Sequence, residues 1–372
     1  MHLASRMAKA VVGTALLWLV LGTAFAQRVE GDVVVGARGL YEAEISVNGQ
    51  GEAERNTGFA RALSQVLGKL TGNRSAASHP GVGQELRHAR NYVKSYDYRQ
   101  DEGRSATGAP TFSTTLIVRF DPEQVDGIAA TLGLPVWAEP RPKPVLWLAI
   151  DDGRGPRLVA LAQTNAARAV LSRAQERGYR LGLPSGTAAE QAAVGAIWRG
   201  DAGAIARLSS RYSPPMQLIG KLYRAQAGGW TADWTFVDNG KVLSSWTATQ
   251  PDARRAMASG ADGAADALSR KYAKRSTAAG AAGRYTVRIE NVRSSEDYLR
   301  LMSYLQNVSV IRGMTPVRAS ENGSLVLELD LLTGMPGLNR MVASGDVLSA
   351  ASAEQVDLPV TGGSVVPVLY LR

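Results

Sequence analysis

The chain contains no cysteine, and this absence removes disulfide frameworks, thiol nucleophiles, thiolate metal sites and a lipid-bearing cysteine at an export cleavage point. Histidine is nearly as scarce, with three in 372 residues. His2 lies in the leader described below. His79 and His88 flank a proline and two glycines, not the i, i+4 spacing that sets two imidazoles on one helical face. A Ser-His-Asp triad would have to draw on one of those two, and the chain has no G-x-S-x-G elbow to carry its serine. Gly153-Arg154-Gly155 does not extend to G-x-G-x-x-G or to a Walker loop. Metal, thiol, triad and nucleotide chemistry are therefore all unsupported, and no cofactor is expected.

Long apolar runs are missing as well, except at the start. Residues 1–9 carry Arg6 and Lys9, residues 10–21 are almost wholly apolar, and Ala24-Phe25-Ala26 precedes Gln27. A basic start, an apolar run and a small-residue site make up a secretory signal, so export with cleavage between Ala26 and Gln27 is expected. The apolar run is about a dozen residues, short of the roughly 20 that a spanning helix needs. No later stretch approaches that length, so the mature protein is expected free in the periplasm with no transmembrane segment. The formal charge is +9, and removal of Arg6 and Lys9 with the leader leaves +7. An exported basic protein meets anionic glycan or lipid rather than nucleic acid, although the basic residues are scattered, as on an ordinary solvated surface.

The remaining chain reads as an α+β protein of three small α/β-type domains. In residues 27–140, Tyr41, Ala43, Ile45 and Val47 alternate with polar neighbours as in a half-buried strand. Phe59, Leu63, Val66, Leu67 and Leu70 then share a helical face that stops at Thr71-Gly72. A short helix over 82–90, strands over 92–99 and 111–120, and a helix opened by Asp121-Pro122 follow. Four prolines within 135–144 mark a boundary.

Residues 145–275 open with an apolar strand over 145–150. A long Ala-rich helix over 157–177, a short strand over 180–183, and helices over 187–198 and 201–212 come next. A strand over 216–224 leads to a hairpin around Asp238-Asn239-Gly240, and a helix over 252–274 closes the domain. Residues 276–283 have linker composition. Residues 284–372 give β-α-β-β-α-β, the ferredoxin-like order, with Leu325, Leu327, Leu329 and Leu331 alternating against polar neighbours.

Two features invite a ligand. Asp151 and Asp152 follow the apolar strand, where open α/β sheets gather ligands, and paired carboxylates can hold a cation or serve as acid and base. The alternative is a βα turn in which Asp starts the turn and Gly supplies positive φ. Trp230 and Trp234 share a strand face. A two-residue hairpin loop puts Trp246 on the opposite face, and a three-residue loop puts it on theirs. The second register would make an aromatic platform for sugars, set against ordinary core packing.

Val47-x-Gly-Gln-Gly, Arg55, Ala62-Leu63, Val66-Leu67, Lys69 and Thr71-Gly72, with Leu134-Pro135-Val136-Trp137, Arg141-Pro142 and Leu146-Trp147 beyond, resemble a family of exported bacterial proteins known only as a domain of unknown function (DUF2066-like). The resemblance spans most of the mature chain and transfers no catalytic residue. The middle region, with Met216-Gln-Leu-Ile-Gly-Lys-Leu and Trp230, is similar in element order to the amino-terminal domain of TolB-like periplasmic assembly factors. That likeness implies protein binding. The expected function is a non-enzymatic interaction or assembly module of the cell envelope with an envelope protein partner. The alternatives are a binder of cell-wall glycan or anionic lipid, and a hydrolase or metal-dependent enzyme using Asp151 and Asp152.

Overall fold

The computed structural model describes residues 27–28, 39–104, 109–275, 280–343, 345–350 and 366–372. The expected leader up to Ala26 and residues 276–279 of the expected linker lie outside the described residues. From Gln27, β1 (Gln27–Arg28) pairs in parallel with a two-residue strand of the middle region. In β2 (Glu42–Val47) the alternation buries Ala43, Ile45 and Val47 against α1 (Glu52–Thr71), whose buried face includes Phe59, Leu63, Val66, Leu67 and Leu70. Gly72 ends this helix at φ +69°, the left-handed cap that glycine adopts without steric cost. After α2 (Val82–Arg87) come β3 (Val93–Arg104) and β4 (Pro110–Phe120), giving the antiparallel order β2-β4-β3. Asp121 caps α3 (Pro122–Thr131) by accepting from the backbone N–H of Glu123 and Gln124. The β3–β4 pairing continues to Arg104↔Pro110, past the end of β2 at Val47↔Thr114. The two strands thus project as an arm on which Phe112 is 70% exposed.

The proline-rich stretch does not separate two bodies. Within it β5 (Pro135–Val136) pairs with a strand that follows the closing helix of the middle region, and Trp137 is buried in the middle core. The Arg141 guanidinium donates to the carbonyls of Lys69, Leu70, Trp137 and Gly178. It thereby occupies acceptors that the C-terminal end of α1 leaves open.

Beside it, the buried Lys69 Nζ donates to Glu42 O at 2.7 Å, and burial pushes its ammonium down to about 8. The unfolded chain holds that proton more tightly, so stability attributable to Lys69 rises as pH climbs from the folded pKa of about 8 toward the unfolded 10.5. Urea unfolding of the protein and of Lys69→Met across that window should show the wild type gaining on the variant. A constant difference would contradict the assignment.

In the middle region β6 (Val145–Asp151) is buried from Val145 to Ala149. The long helix expected over 157–177 is instead three elements. β7 (Arg157–Val159) pairs antiparallel to β6, a 3-10 segment covers Leu161–Ala167, and α4 (Arg168–Glu176) follows. The edge of β6 needs a hydrogen-bonding partner and Leu158 and Val159 need burial, which together outweigh helix propensity. Residues 180–183 contribute only a Val145↔Gly182 bridge rather than a strand. Then come α5 (Ala188–Gln191), α6 (Val194–Arg199), α7 (Ala202–Leu208) capped by Asp201, and β8 (Tyr212–Ser213), the partner of β1. β9 (Met216–Arg224), β10 (Trp230–Asp238), β11 (Lys241–Gln250) and α8 (Ala253–Tyr272) complete the layer. The sheet order is β11-β10-β9-β6-β7, and β12 (Lys274–Arg275) is the partner of β5.

The last region contains β13 (Gly283–Glu290), α9 (Ser295–Gln306), β14 (Ile311–Ser320), β15 (Ser324–Leu331) and α10 (Gly334–Ala343). β16 (Leu348–Ala350) and β17 (Val368–Leu371) follow. The first five elements have the ferredoxin-like order, and the end differs from it. β16 takes the outer edge, and β17 inserts between β16 and β13, parallel to β13, giving β14-β15-β13-β17-β16. All four alternating leucines of β15 are buried. Their core is continuous with that of the first region. Thr333 Oγ1 donates to Thr131 O at 2.6 Å and Gln84 Nε2 to Gln306 O at 3.0 Å across this contact.

Candidate functional site

The Asp151–Asp152 turn stands at the carboxyl end of β6, as expected, and both carboxylates are engaged within it. Asp151 Oδ1 accepts from the N–H of Gly153 at 2.8 Å and of Gly155 at 3.1 Å. Asp152 Oδ1 accepts from Arg154 N–H, and its Oδ2 pairs with Arg157 at 2.9 Å, which holds its carboxyl below the usual range. Gly153 and Gly155 sit at φ +101° and +90°, the conformation such a turn requires of glycine. Among the described residues no three potential ligands gather around a metal position. His79 instead lies with Nδ1 2.9 Å from Pro80 O.

The hairpin combines features of both registers. Its loop is the two-residue Asn239-Gly240, both at positive φ, with Asp238 opposite Lys241. A bulge then pairs Phe236 with Ser244 and Val237 with Val242, so Leu243 is the extra residue and Trp246 comes to lie opposite Trp234. Trp230, Trp234 and Trp246 therefore share a face, and α8 lies over it. Trp234 is 1% exposed and donates Nε1–H to Ser259 Oγ, while Trp246 donates to Ser259 O. A Cβ at Gly260 would stand 2.5 Å from the Trp234 ring, and one at Gly263 2.3 Å from that of Trp246. Arg224 covers Trp230 at 4.2 Å. The face acts as packing for α8 at Trp234, whereas the half-buried Trp246 reaches the wall of a cleft.

That cleft, about 850 Å³, runs along α8 between α4 and β11. Beneath it lies an ion-pair network that ties its carboxylates to buried arginine. Arg177, buried on α4's C-terminal side, donates to Asp262 at 2.6 Å, Asp266 at 2.7 Å and Gly72 O at 2.7 Å. Asp262 also takes Arg173 at 3.0 Å and Arg74 at 3.5 Å, and Arg173 holds Glu176. The three carboxylates of the cleft are thus matched by neighbouring arginines. Arg254 and Arg270, both exposed, line the same cleft with no ion pair among the described residues, and Arg255 pairs only with Asp252 at 3.4 Å. The result is a positively charged channel with a tryptophan in its wall.

Sequence reasoning missed this site. The available signal was two arginines at i, i+4, Arg173 and Arg177, and two aspartates at the same spacing, Asp262 and Asp266, each pair placed on one face and the two pairs of opposite charge.

Residues 35–138 match the model of a family described as Domain of unknown function (DUF8605). The match ends one residue beyond Trp137 and covers the first region, whereas the expected resemblance reached across most of the mature chain. No curated protein matches the chain. No helix among the described residues is long and apolar enough to cross a membrane.

Proposed function

We propose that the protein is a non-enzymatic binding module of the cell envelope, acting in the periplasm after removal of its leader, and that it holds an anionic envelope component in the α8 cleft. The observation that carries this reading is the pair of exposed arginines, Arg254 and Arg270, which the matched carboxylates below them leave unneutralised. Guanidinium groups without an internal partner, at the rim of a concave surface, attract carboxylate and phosphate ligands and hold them in bidentate geometry.

The resemblance to exported DUF2066-like proteins and to TolB-like assembly domains, read from the sequence, supports an envelope role. A protein partner is the second reading. It is favoured by the β3–β4 arm, where Phe112 is 70% exposed, since an exposed aromatic on a projecting hairpin suits a protein contact.

The test is cosedimentation of the purified protein with isolated envelopes at low and high salt. The wild type should sediment at low salt and be released as salt screens the charges. Arg254→Glu, Arg270→Glu should stay in the supernatant with unchanged circular dichroism. Equal sedimentation of wild type and variant would overturn the cleft as the binding surface.

A further inference from the structure

We infer that the occupant of the α8 cleft is an extended acidic glycan chain rather than a single anion or a lipid headgroup, an inference that rests on the binding reading above. Three observations carry it.

The first is spacing. Arg254 and Arg270 both line the cleft and both lie on α8. Their sixteen-residue separation is about 24 Å along a helix rising 1.5 Å per residue. No single phosphate or carboxylate touches both, whereas a chain of repeating anionic units does. The second is the wall between them. Trp246 packs on Gly263, close to the midpoint of that span, and Gln250, Ser244 and Ser172 add hydroxyl and amide groups along the cleft. An indole flanked by small polar side chains suits a pyranose ring, which offers a C–H face to the aromatic and hydroxyls to its neighbours. The third is what the rim lacks. None of the large exposed hydrophobic residues, Phe112, Val242, Leu243, Leu299 and Val317 among them, lines the cleft. The apolar groups that do line it, Trp246, Ala169 and Ala258, are small apart from the indole, so an acyl chain accompanying a headgroup would bury little of its length there. Because Asp262, Asp266 and Glu176 are already matched, the cations at the two ends act on the ligand and the middle contributes no net repulsion.

Two linked contacts convert the second into an intramolecular event, so a chain long enough to reach both arginines should bind about 100-fold more tightly than one that reaches only one. The experiment is titration calorimetry of the full mature protein with oligogalacturonides from dimer to octamer. Matched polyphosphates, neutral maltohexaose and phosphatidylglycerol vesicles serve as the comparison set. The expected result is an affinity that climbs steeply with oligogalacturonide length and then levels off once the span is covered. Arg254→Ser or Arg270→Ser should each reduce the octamer to the affinity of the dimer. Trp246→Phe should weaken oligogalacturonide but not polyphosphate, and circular dichroism verifies that each variant is folded.

Equal affinity for dimer and octamer would overturn the extended chain and leave a single-anion site. Polyphosphate binding that matches or exceeds that of the glycan and ignores Trp246 would overturn the sugar. Binding to vesicles alone, still lost in the arginine variants, would overturn the glycan while leaving the binding module standing. Binding of none of these probes, together with envelope sedimentation indifferent to both arginines, would remove the inference and the binding reading together.

Discussion

Replacing Arg177 with methionine is expected to lower the unfolding free energy by about 1–3 kcal/mol, the cost typical of leaving buried hydrogen-bond acceptors without their partner. The side chain is 4% exposed and its guanidinium serves four acceptors, the carboxylate and carbonyl of Asp262, the carboxylate of Asp266 and the carbonyl of Gly72. Methionine fills similar volume, so the loss reports the abandoned acceptors rather than a cavity. Asp262 keeps Arg173 and Arg74, but Asp266 and the Gly72 carbonyl lose the partner described for them. Arg177→Lys should recover only part of the loss, because one ammonium cannot fork to acceptors on both sides. Urea unfolding measures both variants. A loss well under about 1 kcal/mol for Arg177→Met would place this cluster with exposed, solvent-screened pairs and refute its role in holding the cleft's carboxylates.

The same residue shows how much the sequence reveals and where it stops. The elements around Arg177 were legible because their periodicity is local. The α1 stripe, the Asp121-Pro122 helix start and the Asn239-Gly240 loop each follow from residues within a turn or two of one another. What joins these elements was not legible, because it depends on contacts between distant parts of the chain. Arg141 binds carbonyls of residues 69, 70 and 178, and a proline-rich stretch that reads as a break becomes a clasp only when those carbonyls are nearby. The helix expected over 157–177 failed for the same reason, since the free edge of β6 claimed Arg157–Val159.

The two candidate sites separate along this line too. The Asp151–Asp152 turn has its acceptors and donors within six residues, so its turn reading was available from sequence. The tryptophan face turned on a one-residue bulge at Leu243 that no local pattern announces. Loop length alone would have put Trp246 on the wrong side.

The same tryptophan face carries the second large effect. Trp234→Ala is expected to cost about 3–5 kcal/mol, as for other large aromatic truncations in a core, because the ring is 1% exposed between Gly220 on β9 and Gly260 on α8. A sugar-stacking tryptophan would instead lose binding with little change in stability, so the thermal or urea midpoint distinguishes the two roles. The glycines supply a test of sign. Glycine within a helix is about 1 kcal/mol less favourable than alanine, so Gly127→Ala on α3, where a Cβ would meet nothing within 4 Å, should stabilise the protein by about 0.5–1 kcal/mol. Gly260→Ala makes the same change in propensity but drives a methyl to 2.5 Å from the Trp234 ring. There overpacking of about 1–3 kcal/mol should exceed the helix gain and reverse the sign. If both substitutions stabilise, α8 does not press on the tryptophan face.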